Sequence, residues 1–298
     1  MRALFKALSL ILCLVAVACS SNRGLSSSGR AFTDEIGRKI NVRENPQRII
    51  SLAPSVTETL FVLGLGDRVV GVTSYCDYPP EAARKEKVGD TLRPSIEKIV
   101  ALKPDLVIAS TSSQLEQFVR DLDKVGIPIY VSNPHNLAGV LVSIEMIGAI
   151  TGVDDRAEEL TDKMRARINA VESGLVGIKE QPRVFFILGV EPLITIGGTS
   201  FINELISRAG GDSISSEVHA EYPQYSLESA VAARPEVIFL QTGDPKLPER
   251  LNQTPAARNN RVFQLDDNLL MRPGPRIVDG FEQMAARIHP EAFPVKTE

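Results

Sequence analysis

A fourteen-residue segment that occurs twice in the chain constrains the fold more than any other feature. The first copy, Ser95–Ile108, reads SIEKIVALKPDLVI, and the second, Ser226–Phe239, reads SLESAVAARPEVIF. In each copy a serine stands where it can cap a helix, a proline ends that helix, and an apolar run typical of a strand follows. The repetition predicts two similar units in which helices and strands alternate.

The rest of the chain shows the same alternation of short apolar runs and helix signals. Strands are predicted at 49–52, 68–72, 106–109, 127–131, 184–188 and 237–240. Helices are predicted at 95–103, 114–125, 200–209, 226–233 and 276–288. Ser55 and Glu58 are interpreted as a capping box that opens a further helix ending near Gly64.

One predicted helix differs from the others in length. Apolar residues recur at steps of three or four between Asp155 and Ile178, which predicts a helix of about 35 Å. The predicted fold class is therefore α/β, with two lobes built on parallel sheets and joined by one long rigid helix.

The N-terminus carries signals for export. Residues 1–18 combine two basic residues with an apolar run too short to span a bilayer, as in a signal peptide. Small residues precede Cys19 and a serine-rich stretch follows it, which predicts a lipid-anchored protein of the periplasm or cell surface. An ordinary cleavage site with an incidental cysteine is the alternative. The predicted organisation is listed by range: signal peptide 1–18, tether 19–47, first lobe 48–152, bridging helix 153–180 and second lobe 181–298.

Composition and motifs exclude several classes of function. The chain has 33 basic and 37 acidic residues, so it lacks the basic excess of a nucleic-acid binder. Three cysteines and three histidines leave little for a disulfide framework or a zinc cluster. A P-loop, a nucleophile elbow and a zinc-protease motif are all absent from the sequence. These observations argue against catalysis.

Several motifs resemble those of the solute-binding proteins of iron-siderophore, haem and cobalamin importers. These motifs are RIISLAPS at 48–55, the first copy of the repeat, GGTSFINEL at 197–205 and RPGPR at 272–276. The resemblance implies a ligand cleft between the lobes, a monomer without a cofactor of its own, and delivery to an ABC permease dimer with its ATPase subunits. It also implies that Glu97 and Glu228 contact permease arginines. A structural role for both is the alternative, because a helix N-terminus favours an anion.

Two further segments look most like the cobalamin-binding branch of that family. They are Gly71–Pro80, which contains Tyr75 and Asp77, and Glu221–Ser226, which contains Tyr222. The resemblance implies that these three residues contact a corrinoid, and the absence of tryptophan means that aromatic contacts would rely on tyrosine. Haem or a ferric siderophore is the alternative ligand, and a surface hydrolase on the same lobes is a more distant one.

A loop and several single residues complete the set of candidates. Thr242, Gly243 and Lys246 follow a predicted second-lobe strand and are expected to face the cleft. Cys76 could approach a metal centre or be a small buried residue, and His219 could be an axial ligand. Arg272 and Arg276 could hold an anionic ligand group or cap the final helix, and the sequence does not separate these roles.

Overall fold

The computed structural model of the protein describes residues 29–110, 115–241 and 246–293. Its strands are β1 Gly29–Thr33, β2 Lys39–Arg43, β3 Ile49–Ser51, β4 Val69–Val72, β5 Glu86–Lys87, β6 Leu106–Ser110, β7 Ile129–Ser132, β8 Arg183–Val190, β9 Leu193–Thr195, β10 Asp212–Ser213, β11 Val237–Gln241 and β12 Val262–Leu265. Its α-helices are α1 Pro54–Val62, α2 Pro80–Ala83, α3 Ile96–Ala101, α4 Leu115–Lys124, α5 Leu137–Thr151, α6 Asp154–Gly174, α7 Phe201–Arg208, α8 Leu227–Ala232, α9 Pro255–Arg258, α10 Asp267–Leu270 and α11 Ile277–Ile288.

Two sheets of matching topology form the centres of the two lobes. The first sheet has the order β5-β4-β3-β6-β7, and all its strands are parallel. The second has the order β10-β8-β11-β12, also parallel, with β9 antiparallel to β8 at one end. When β5 and β9 are set aside, the remaining orders β4-β3-β6-β7 and β10-β8-β11-β12 correspond strand by strand. The prediction of two α/β lobes with parallel sheets is confirmed.

The repeated segment adopts the same conformation in both lobes. The Ser95 hydroxyl accepts a hydrogen bond from the backbone N–H of Lys98 at 3.3 Å, and the Ser226 hydroxyl accepts the equivalent bond at 3.2 Å. Each helix is followed by a non-glycine residue with a left-handed backbone, Lys103 at φ 47° and Arg234 at φ 50°. The predicted helix caps are confirmed, and the repeat extends to the backbone turn that ends each helix.

An arginine at the start of a central strand of each sheet, Arg48 directly before β3 and Arg183 as the first residue of β8, extends the correspondence. The Nε of Arg48 and that of Arg183 each donate to the carbonyl of the C-cap residue of the repeat helix, at 3.0 Å in both lobes. The backbone N–H of each arginine donates to an acidic side chain, Asp105 in the first lobe and Glu236 in the second, again at 3.0 Å. These contacts tie the start of the central strand to the end of the repeat helix.

The long helix α6 packs between elements of both lobes. Its buried residues include Met164 and Ile168 and recur at the predicted helical spacing. Arg167 forms ion pairs with Asp279 and Glu282 of α11, with N–O distances of 2.6 Å. The helix has 21 residues, about 31 Å, and ends four residues before the predicted end. A cause of the earlier end is Gly177, whose φ of 91° is incompatible with a right-handed helix.

The helix α5 was not predicted from the sequence. It is apolar and buried on most sides, so no polar stripe reveals a helical period. Together with α6 it contributes to one core cluster that runs from Ile49 in the first lobe to Phe281 in the second. Within residues 29–110, 115–241 and 246–293, no helix combines the length and the apolar character needed to cross a membrane.

Candidate functional site

A pocket lies between the two lobes at the carboxyl ends of β6 and β7. First-lobe residues that line it include Ser110, Asn133 and His135, and second-lobe residues include Phe201, Tyr222 and Met271. Its volume of about 250 Å³ is below the roughly 300–1,000 Å³ of pockets that enclose drug-sized ligands. The pocket can therefore enclose one edge or substituent of a large ligand, whose body would lie across the mouth.

Tyr222 is held at this pocket by an unusually close approach of two backbone segments. The N–H of Gly197 donates to the carbonyl of Glu221 at 2.9 Å. A Cβ at Gly197 would lie 2.0 Å from the carbonyl oxygen of Ala220, and one at Gly198 would lie 2.0 Å from that of Ser216. Only glycine allows this approach. The glycine pair of the GGTSFINEL segment thus fixes the position of the Tyr222 segment.

The Tyr222 side chain presents a neutral aromatic surface. The residue is 47% exposed, and partial burial together with the neighbouring Glu221 carboxylate raises the pKa of its phenol. The ring therefore stays protonated near neutral pH. Among the described residues that line the pocket, Glu221 is the one carboxylate, and lysine and arginine are absent. The lining offers aromatic surface and neutral hydrogen-bonding groups.

A buried ion cluster joins the lobes next to the pocket. Glu58 of α1 is 1% exposed, and its carboxylate accepts two bonds from Arg276, at 2.8 Å from Nε and 2.7 Å from Nη2. Arg272 also donates to Glu58, at 3.2 Å. Gly274 favours the close approach of the RPGPR loop to α1, because a Cβ there would make a tight contact of 3.1 Å with the carbonyl oxygen of Ser55.

Asp77 and Tyr78 complete this cluster from the first lobe. Arg272 donates to both carboxylate oxygens of Asp77, at 2.7 and 3.4 Å. The hydrogen bond from Arg272 holds the pKa of Asp77 below its usual value. The guanidinium of Arg276 stacks on the Tyr78 ring, with 3.8 Å between its central carbon and the ring centroid. Two guanidinium groups thus meet two carboxylates, and the formal charges cancel.

The cluster changes the interpretation of three residues. Glu58 does not form a capping box, because Pro54 begins α1 directly after the N-cap Ala53, and the Glu58 side chain points to the other lobe instead. The side chains of Arg272 and Arg276 do not cap the final helix, where the N-cap has no side-chain hydrogen bond. They pair with the protein's own carboxylates. Glu58 is the one charged residue of this otherwise uncharged helix, and that is the signal in the sequence that a buried partner exists.

The other residues predicted to contact ligand are placed differently. Tyr75 is 60% exposed and does not line the pocket that contains Tyr222. Lys246 lines a second pocket, within the second lobe, together with Tyr225 and Leu247. Thr242 and Gly243, and the predicted lipid-attachment residue Cys19, lie outside the described residues.

The structure also shows the surroundings of the cysteine and histidine candidates. Cys76 is 1% exposed, and its sulfur lies 3.1 Å from the hydroxyls of Thr57 and Thr73, so it is a packed core residue. His219 is exposed and does not line the pocket. His135 lines it instead, and its Nε2 lies 2.8 Å from the amide nitrogen of Asn133. Sequence reasoning missed His135 because its proximity to Tyr222 depends on the packing of the lobes.

The two glutamates predicted to dock on a permease occupy equivalent positions. Glu97 and Glu228 both lie exposed in the first turn of the repeat helices, α3 and α8. Glu228 forms an ion pair with Arg250 and accepts a hydrogen bond from Ser226 at 3.1 Å. Within the described part of the chain, Glu97 has no ion pair. The two lobes therefore each display one carboxylate at the start of the same helix.

Comparison with known proteins assigns the chain to a family. The profile of the periplasmic binding protein family matches residues 49–269. The vitamin B12-binding protein of Vibrio parahaemolyticus is 32% identical over 240 residues, which cover 79% of this chain and 87% of that protein. An uncharacterised ABC transporter substrate-binding lipoprotein of Bacillus subtilis, YvrC, is 32% identical over 270 residues, covering 87% of this chain and 85% of that protein.

A solved structure supports the same assignment. The periplasmic heme-binding protein RhuT of Roseiflexus sp. RS-1, in its apo form, superposes with a TM-score of 0.74 at 28% identity. The superposition covers 83% of this chain and 99% of RhuT. The two lobes, the pocket between them and these similarities together show that the chain belongs to the periplasmic binding protein family.

Proposed function

We propose that this protein captures a corrinoid of the cobalamin type and delivers it to an ABC permease. Periplasmic binding proteins are exported, non-enzymatic components of transport systems, and those of ABC importers work with a permease and ATPase subunits. The observation that carries the corrinoid proposal is the pocket beside Tyr222, whose described lining has no lysine or arginine. A corrinoid such as cyanocobalamin is a large amphipathic ring with neutral amide substituents, which suits a lining with aromatic surface and without lysine or arginine.

Haem is the second candidate ligand, because His135 and Tyr222 both line the pocket and either side chain can bind iron. Two observations favour the corrinoid. The raised pKa of Tyr222 opposes the phenolate form that binds ferric iron. The propionates of haem would meet Glu221, and the neighbouring guanidiniums are already paired with Glu58 and Asp77.

Calorimetric titration of the purified mature protein distinguishes the ligands. The protein is titrated with cyanocobalamin, with haemin and with ferric enterobactin under the same conditions. We expect saturable heat with cyanocobalamin. If cyanocobalamin gives no heat and one of the other two gives a saturable signal, the corrinoid proposal is wrong.

Replacing Tyr222 tests its role in the pocket. We expect Tyr222→Ala to weaken cyanocobalamin binding about tenfold to a hundredfold, because a half-buried aromatic contact at the centre of an interface is lost. Tyr222→Phe keeps the ring and is expected to stay within about threefold of the wild type. Dissociation constants from calorimetry provide the measurement. An alanine variant that binds as tightly as the wild type would remove Tyr222 from the site.

We also propose that Cys19 is lipidated after removal of residues 1–18. The support is the run of small residues before Cys19 and the serine-rich stretch after it. Cells grown with a labelled fatty acid are expected to incorporate label into the wild-type protein and not into Cys19→Ser. Label that persists in the Cys19→Ser variant would contradict this attachment site.

A further inference from the structure

The charged side chains of the interlobe cluster differ in how far they are exposed to solvent. Glu58 is buried, and the side chains of Arg272 and Arg276 are 14% and 19% exposed. The side chain of Asp77 is 61% exposed and is the member of the cluster that most contacts solvent. From the solvent side, the Asp77 carboxylate is therefore more accessible than the guanidinium of Arg272 that it pairs with.

Arg272 and Arg276 would otherwise form a site for an anion. Both follow pocket-lining Met271 closely in the chain, and guanidinium groups bind carboxylates through paired hydrogen bonds. In this protein Glu58 and Asp77 occupy that hydrogen-bonding capacity, and the Tyr78 ring covers one face of Arg276. The carboxylate of Glu221, which lines the pocket, adds a further negative charge. A ligand carboxylate would have to displace Asp77 or lie near like charges.

We propose that Asp77 is a specificity-determining residue that neutralises Arg272 and so makes the cleft reject ligands with peripheral carboxylates. The cleft binds a ligand with the same ring that carries amides in place of the carboxylates. This inference deepens the proposed function and relies on it for the class of ligand. Asp77 acts here through Arg272, so contact between Asp77 and the ligand is not required.

The test compares two ligands that differ by one charge. Cyanocobalamin and its monocarboxylic acid, in which one peripheral amide is hydrolysed, are titrated into the wild type and into Asp77→Asn. The readout is the ratio of the two dissociation constants, because replacing a residue of the cleft wall can alter the affinity for any ligand. We expect the wild type to bind cyanocobalamin more tightly than the acid. In Asp77→Asn, the ratio of the two dissociation constants is expected to be about threefold to tenfold smaller. Raising the salt concentration to 0.5 M should reduce this difference, because the interaction is between partly exposed charges.

Asp162→Asn is the matched control. Asp162 is 66% exposed and pairs with Arg165 at 2.9 Å, and it does not line the pocket. Its replacement removes the same charge from the protein and breaks a similar ion pair. We expect the ligand ratio of Asp162→Asn to equal that of the wild type, and an equal change in both variants would overturn the proposal.

A second ligand pair separates this proposal from the proposed function. Haemin and its dimethyl ester share one ring and differ by two carboxylates, and they are titrated into the same variants. If the wild type fails to bind cyanocobalamin, the corrinoid proposal is wrong. The role of Asp77 would still be supported if Asp77→Asn binds haemin more tightly, relative to the ester, than the wild type does. The proposal is overturned if Asp77→Asn gains no preference for the carboxylated member of either pair.

Discussion

Replacing Glu58 by glutamine is expected to lower the free energy of unfolding by about 3–5 kcal/mol, because it leaves two largely buried guanidinium groups with one partly exposed partner. Glutamine preserves the shape of the side chain, so the loss reports the missing charge rather than a cavity. The measurement is urea denaturation followed by far-UV circular dichroism.

Two further variants test whether the lower free energy of unfolding comes from the unpaired buried charges. Glu159→Gln breaks an ion pair with Lys163 in which both side chains are more than two-thirds exposed, and it is expected to leave the free energy of unfolding close to that of the wild type. Combining Glu58→Leu with Arg272→Met and Arg276→Leu removes the buried charges together and is expected to recover most of the stability. A Glu58→Gln protein within about 1 kcal/mol of the wild type would show that the cluster contributes little to folding.

Reversing the charge at both Glu97 and Glu228, each to lysine, is expected to abolish ligand uptake and leave ligand affinity unchanged. The two carboxylates lie exposed at equivalent positions of the two lobes, and neither lines the pocket that contains Tyr222 and His135. If permease arginines receive these carboxylates, as the family resemblance implies, lysines at both positions would repel the partner. Uptake is measured in cells that depend on this protein, and affinity by calorimetry on the purified variant.

A control with the same change in net charge accompanies this variant. Glu81→Lys combined with Glu159→Lys reverses two other exposed helical glutamates, which lie on α2 and α6. We expect this control to transport ligand as the wild type does. Normal uptake by the Glu97→Lys, Glu228→Lys variant would refute docking through these residues.

The sequence predicted those features that depend on neighbours in the chain. The caps at Ser95 and Ser226 were recognised because a capping hydroxyl bonds to an N–H three residues away. The buried face of α6 was recognised because its period is a local property. The resemblance to a known family supplied the cleft, which local signals do not encode.

The features that the sequence did not predict depend on distant partners. Glu58 and Arg276 are 218 positions apart, and no local pattern links them. The two-residue strands β5 and β10 exist as strands because they pair with β4 and β8. The presence of His135 and Tyr222 in one pocket likewise follows from the packing of one lobe on the other.

The two lobes share part of their apolar core, so the chain cannot be cut into separate lobes without exposing that core. The lobes repeat the same strand order and the same arginine contacts, as two copies of one module would. One apolar cluster nevertheless extends across both lobes, from Ile49 to Phe281, beside a separate cluster in each lobe, and Glu58 depends on arginines of the other half. Either half expressed alone would expose that apolar surface and an unpaired charge. We therefore expect that neither half folds on its own, although the repeat resembles a modular architecture.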